Sequence, residues 1–237
     1  MALALGFLLS LPTAVYAEGE FRRSAAILTL TEDDNCISVD QTTAGAAALT
    51  ITGACASGGV ATITATPLTK VAQQVSIEGS GNNSGITFTI CGTDADSKTR
   101  ATCEVLTGSN GGTATSAQWY STVTSITASG AVTGNVEAGW LEASGGVTET
   151  IVLNYDGYSD DVNITVDVTG TVPYTVENTG QKMSSKFEPL WFDTLDLSTQ
   201  TTDLQGNFGV AVGGVRLRCT SAVCVANLMT VQGVSGR

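Results

Sequence analysis

Ile86-Thr87-Phe88-Thr89-Ile90 alternates apolar and hydroxyl-bearing side chains without interruption. Successive side chains of a β-strand point to opposite faces, so Ile86, Phe88 and Ile90 can face a core while Thr87 and Thr89 stay wet. The same pattern recurs on both sides of this stretch, in Leu49-Thr50-Ile51-Thr52, Val60-Ala61-Thr62-Ile63-Thr64, Val123-Thr124-Ser125-Ile126-Thr127 and Asn163-Ile164-Thr165-Val166-Asp167-Val168. Between the runs lie turn-forming clusters such as Gly79-Ser80-Gly81-Asn82-Asn83-Ser84-Gly85 and Gly108-Ser109-Asn110-Gly111-Gly112. No stretch after Phe21 shows apolar residues at helical spacing. The expected fold is therefore all-β, an antiparallel β-sandwich of jelly-roll-like kind built as two tandem β domains.

The organisation expected is an apolar N-terminal segment over 1–19, one β-sandwich domain over 20–145 and a second over 146–237. The boundary rests on Ser144-Gly145-Gly146, which reads as a hinge or turn. Ala2 to Leu11 is apolar and is followed by Pro12 and the small-x-small site Val15-Tyr16-Ala17, the form a signal peptidase cuts. No Lys or Arg precedes the apolar run, which falls short of the roughly 20 residues a membrane span needs. Two readings stay open: an export signal, or a retained arm packed under the β domain or against a neighbouring subunit.

A formal charge of -12 on 237 residues argues against direct contact with a nucleic-acid backbone, which requires clustered Lys and Arg. Only 14% of residues are charged, so partner subunits are expected to cover part of the surface. Histidine is absent, which removes the commonest general base and metal ligand together. The acidic groups Asp33-Asp34, Asp94/Asp96, Asp156/Asp160/Asp161 and Asp193/Asp196 fall in turn-like sequence, where carboxylates are ordinary solvated turn formers. Asp94-Ala95-Asp96-Ser97-Lys98 begins like a calcium loop but sets Lys98 where a third oxygen ligand belongs. No catalytic residue, cofactor or metal site is expected. Between Lys182 and Leu197 the alternation breaks, and Phe187, Trp191 and Phe192 beside Pro189 read as aromatics plugging the end of a core.

Six cysteines stand at 36, 55, 91, 103, 219 and 224. Cys219 and Cys224 flank a four-residue stretch that can turn as a hairpin, Cys91 and Cys103 flank the Asp/Ser-rich turn near Ser97, and Cys36 and Cys55 straddle Gly45. Opposed positions on antiparallel strands lie about 4.5 to 5.5 Å apart, within reach of a disulfide. The favoured pairing is sequential: Cys36 with Cys55, Cys91 with Cys103, Cys219 with Cys224. The rival readings are buried free thiols and a zinc site, for which close cysteine pairs are wanted. Disulfides would set the mature protein outside a reducing cytosol.

Two stretches carry a family resemblance. Ile86-Thr87-Phe88-Thr89-Ile90-Cys91-Gly92-Thr93-Asp94-Ala95-Asp96, Glu104-Val105-Leu106-Thr107-Gly108 and Trp119-Tyr120-Ser121-Thr122-Val123-Thr124-Ser125-Ile126 form the first. Val166-Asp167-Val168-Thr169-Gly170-Thr171-Val172-Pro173-Tyr174-Thr175-Val176-Glu177, with Gly206-Asn207-Phe208, Val215-Arg216-Leu217-Arg218 and Val231-Gln232-Gly233, forms the second. Together they resemble β-rich structural proteins of tailed-bacteriophage virions. The resemblance implies a non-enzymatic subunit of the particle, in head decoration or at the neck or tail. It would act through contacts with itself, in a homo-oligomer such as a trimer, and with the major capsid or tail proteins. A secreted bacterial adhesin or pilus-like surface protein is the alternative. So is a carbohydrate-binding or hydrolytic β domain, for which exposed, coplanar Trp119, Trp140 or Trp191 would be the sign.

Overall fold

The computed structural model describes residues 21–27, 33–63, 71–100, 102–141, 145–153, 162–171, 173–183, 189–194, 197–208, 210, 212–220 and 225–232. The expected N-terminal segment over 1–19 lies outside them. In chain order the strands are β1 (Phe21–Ile27), β2 (Asp33–Gln41), β3 (Ala47–Ala48), β4 (Ala56–Ser57), β5 (Val60–Thr62), β6 (Val71–Asn82), β7 (Thr87–Thr93), β8 (Glu104–Thr107), β9 (Asn110–Tyr120) and β10 (Thr122–Ala128). There follow β11 (Val136–Leu141), β12 (Gly146–Thr148), β13 (Ile151–Val152), β14 (Val162–Val168), β15 (Tyr174–Thr179), β16 (Phe192–Asp193), β17 (Leu204–Phe208), β18 (Gly214–Cys219) and β19 (Ala226–Gln232). Among the described residues there is no α-helix, and none long and apolar enough to cross a membrane.

Among the described residues every strand pairing is antiparallel, in three sheets. A nine-stranded sheet follows the order β16-β15-β18-β12-β6-β11-β2, with β9 also on β6 and β13 on β18. A six-stranded sheet follows β4-β5-β10-β7-β8 with β3 on β10, and a four-stranded sheet follows β1-β19-β14-β17. The alternation read from the sequence drives this arrangement. In β7, Phe88 and Ile90 are fully buried between half-buried threonines, and β14 repeats the pattern with Val162, Ile164 and Val166.

The buried apolar residues form two large clusters, each between a smaller sheet and one half of the large one. The first joins Phe88, Ile90, Val123 and Ile126 of the six-stranded sheet to Ile37, Val75, Ile77, Ala138 and Trp140 of the nine-stranded sheet. The second joins Val162, Ile164, Val166, Phe208 and Leu228 of the four-stranded sheet to Tyr174, Val176, Val215 and Leu217. Both are sandwich packings, in which alternate residues of facing sheets interdigitate.

The two halves meet inside the large sheet. β11 and β12 run along one side of β6, Leu141 opposite Gln74 and Val147 opposite Ala72, and β12 then pairs with β18. Gly146 opens a strand of the shared sheet. Gly145 has φ of +82° and lies so close to the Cys219 carbonyl that a Cβ would collide with it, so glycine is required here for close approach.

Two of the sequential disulfides are present. Cys36 bonds to Cys55 with Cα atoms 5.0 Å apart, and Cys91 to Cys103 with Cα atoms 4.5 Å apart. The second tie follows from register, since Ile90 pairs with Glu104 and the next positions out are the two cysteines. Cys219 is also disulfide-bonded, while Cys224 lies outside the described residues. Disulfides mark this as a protein of extracellular type, matured outside a reducing cytosol.

Candidate functional site

The joint between the halves carries a cleft on the outer face of the large sheet. Alternation sets that face: on β18, Val215, Leu217 and Cys219 enter the core, so Arg216 and Arg218 point outward. On β9, Tyr120 joins the core and Trp119 takes the other side, where it packs on a small buried cluster of Ala72, Ala95 and Val147. The cleft has a volume of about 480 Å³, and both halves of the chain line it.

One wall is the turn after β7. The Lys98 amide donates to Asp94 Oδ1 at 2.9 Å and the Ser97 amide to the Asp94 carbonyl at 3.0 Å. Ser97 sits at φ +59°, the left-handed position that glycine usually fills. The turn is a latch as well as a wall. Asp96 accepts the Thr150 amide at Oδ1 (2.6 Å) and the Thr150 hydroxyl at Oδ2 (2.7 Å), tying the first half to the link between β12 and β13. Arg100 donates to the Trp119 carbonyl at 2.5 Å and lies 5.2 Å from the Tyr120 ring centroid. Burial pushes the Asp94 carboxyl above its ordinary value and Asp96 adds to the rise, opposed by the Lys98 amide and by Arg100 and Lys98.

The other wall is built from the β15–β18 pair. Glu177 lies directly opposite Arg216 in register and is only 6% exposed. It meets Arg216 Nε at 2.5 Å and Arg218 Nε at 2.8 Å, and Arg218 reaches on to Asp193 at 2.9 Å. The Arg216 guanidinium covers the Trp191 ring, 4.2 Å from its centroid. Burial lowers the pKa of Arg216, and Glu177 opposes that shift.

Trp191 and Phe192 correct one expectation. They do not plug a core: Trp191 lines the cleft and Phe192 is 56% exposed on β16, the terminal strand of its sheet. Leu197, 5% exposed, packs into the core nearby instead, and Phe187 lies outside the described residues. Of the three tryptophans, Trp140 is buried at 1% exposure, whereas Trp119 and Trp191 share the cleft.

The remaining acidic groups are dispersed. Asp94 and Asp96 are brought together, but Asp96 has both oxygens in hydrogen bonds that hold the fold. Asp193 belongs to the arginine network; Asp196 and Asp156, Asp160 and Asp161 lie outside the described residues. A separate acidic cluster stands elsewhere on the large sheet, where Glu78 and Glu137 face each other in register and Asp34 comes beside them, one oxygen from each within 4.8 Å of the others. Burial raises the Glu137 pKa, as do Asp34, Asp40 and Glu78, while an Asn35 hydrogen bond opposes them. Glu78 and Glu137 are like charges directly opposed on neighbouring strands, an arrangement that repels.

Arg100 and Thr150 were not singled out by motif. Arg216 and Arg218 did carry a signal: charges two apart in an apolar strand must share one face. Compared with models of known protein families, with curated proteins and with solved structures, the chain has no significant match in any of the three.

Proposed function

We propose that this chain is a non-enzymatic structural subunit of a tailed-bacteriophage virion, decorating the head or attached at the neck or tail. It works through contacts with copies of itself and with the major capsid or tail proteins. The observation that carries the assembly part of this reading is apolar side chains at open sheet edges. Val105 on β8 and Phe192 on β16 are 63% and 56% exposed, and both strands are terminal in their sheets. Terminal strands of monomeric proteins are usually guarded by charge, proline or a covering element, because their free N–H and C=O groups recruit other chains. A surface with few charges and two apolar edges fits a subunit whose edges are covered on assembly. The virion setting rests on the two family-like stretches, and the disulfides suit a particle that persists outside the cell.

Sedimentation velocity over a wide concentration range tests the assembly. A defined oligomer is expected, with Val105→Lys and Phe192→Lys shifting it toward monomer. A parent protein that stays monomeric at every concentration would overturn the proposal. The small-x-small site at Val15-Tyr16-Ala17 favours the second reading, a secreted bacterial surface protein.

A further inference from the structure

We propose that the cleft at the joint binds a neutral saccharide, with Trp119 and Trp191 as stacking surfaces and Asp94 and Arg216 as hydroxyl-binding groups. Its volume of about 480 Å³ is that of a small-ligand site, and its position between two packed halves is where such sites concentrate. The two tryptophans come from opposite walls and are only partly buried, although burying an indole in a core is ordinarily favourable. Trp191 is held by the Arg216 guanidinium, so its placement does not depend on a ligand.

The polar groups are equally placed and incompletely used. Arg216 bonds through Nε alone and Asp94 through Oδ1 alone. Among the described residues the two terminal nitrogens of Arg216 and Oδ2 of Asp94 have no hydrogen-bond partner, which leaves donors and an acceptor lining one cleft. Asp94 and Asp96 balance Arg100 and Arg216 in formal charge, and the chain as a whole carries -12. An anionic ligand gains nothing from such a site. Aromatic faces combined with planar donors and acceptors at zero net charge match a ring with an apolar C–H face and a rim of hydroxyls. This site is independent of the virion reading.

Isothermal titration calorimetry with cellohexaose, maltohexaose and chitohexaose, alongside tryptophan fluorescence, tests it on the full chain. At least one of the three is expected to bind and to perturb the fluorescence. Trp191→Ala should weaken binding about tenfold while Trp191→Phe retains most of it, the loss of one stacking face. Phe192→Lys should leave binding unchanged whatever it does to assembly. Thermal melts establish that each variant is folded. Failure of all three hexasaccharides to bind at millimolar concentration, binding confined to acidic oligosaccharides such as polygalacturonate fragments, or undiminished binding by folded Trp191→Ala would each overturn the proposal.

Discussion

Glu177→Gln isolates the electrostatics that hold the second wall of the cleft. The substitution keeps the side-chain size, so no cavity forms, but it removes a negative charge that is 6% exposed and faces Arg216 at 2.5 Å and Arg218 at 2.8 Å. With an effective dielectric constant of about 20 and charge centres about 4 Å apart, each pair is worth about 4 kcal/mol before desolvation is counted. Desolvating the carboxylate cancels much of that gain, and breaking a buried pair typically costs about 3–5 kcal/mol. The arginine side chains keep 18% and 27% of their exposure, so water can rehydrate them once the carboxylate is gone. That lowers the expected loss to roughly 2–3 kcal/mol. Urea unfolding at neutral pH, followed by tryptophan fluorescence, should show a lower midpoint at unchanged slope. A double-mutant cycle with Arg216→Gln should give a coupling of about 1 kcal/mol or more between the two positions. A loss below about 0.5 kcal/mol, or coupling near zero, would refute the reasoning, because the network would then behave as a screened surface pair.

Three further outcomes are expected. Gly139→Ala should cost about 3 kcal/mol or more, or prevent soluble expression, because its Cβ would collide with the Asp33 carbonyl of β2; a melt within a degree or two of the parent would contradict the pairing of β11 with β2. Glu137 has a folded-state pKa raised above 4.5, so the native state holds its proton to higher pH than the unfolded chain, and stability falls as pH rises through that window. Glu137→Gln should therefore be more stable than the parent at neutral pH and indistinguishable from it below the window, as denaturant midpoints across pH will show. The double replacement of Cys91 and Cys103 by alanine should cost about 3 kcal/mol by the loop-closure estimate for a sequence separation of 12, read as a shift in denaturant midpoint against the oxidised parent.

How far the sequence could be read depended on whether a feature was local. Ile86 to Ile90 specified a strand because period-two burial is a property of five consecutive residues, and β7 realises it with Phe88 and Ile90 inside. Cys91 and Cys103 were legible because they flank one turn in the sequence, although the register shifts between the Thr93–Thr99 bridge and the Ile90–Glu104 pair. Ser97, standing where a turn glycine is expected, proves to hold the left-handed conformation itself. At Gly145 the sequence could show a glycine suited to a turn but not that the same glycine is needed for close packing against Cys219. The cleft was illegible because its walls come from segments far apart in the chain. The Asp96–Thr150 latch spans 54 residues and the Glu177–Arg216 pair 39, and no spacing rule reaches that far. The aromatics near Trp191 were misread because size and hydropathy favour burial, while nothing local shows that Arg216 will supply a stacking partner at the surface.

The claim that this chain is a particle subunit meets its most direct test in quantitative mass spectrometry of tailed particles purified by density gradient from cells that express the gene in its native setting. The account predicts that the chain bands with the particles at a fixed ratio to the major capsid or tail protein, unchanged by a salt wash. Finding it only in the culture medium or on the bacterial cell surface, and absent from intact particles, would contradict the account and favour a secreted surface protein.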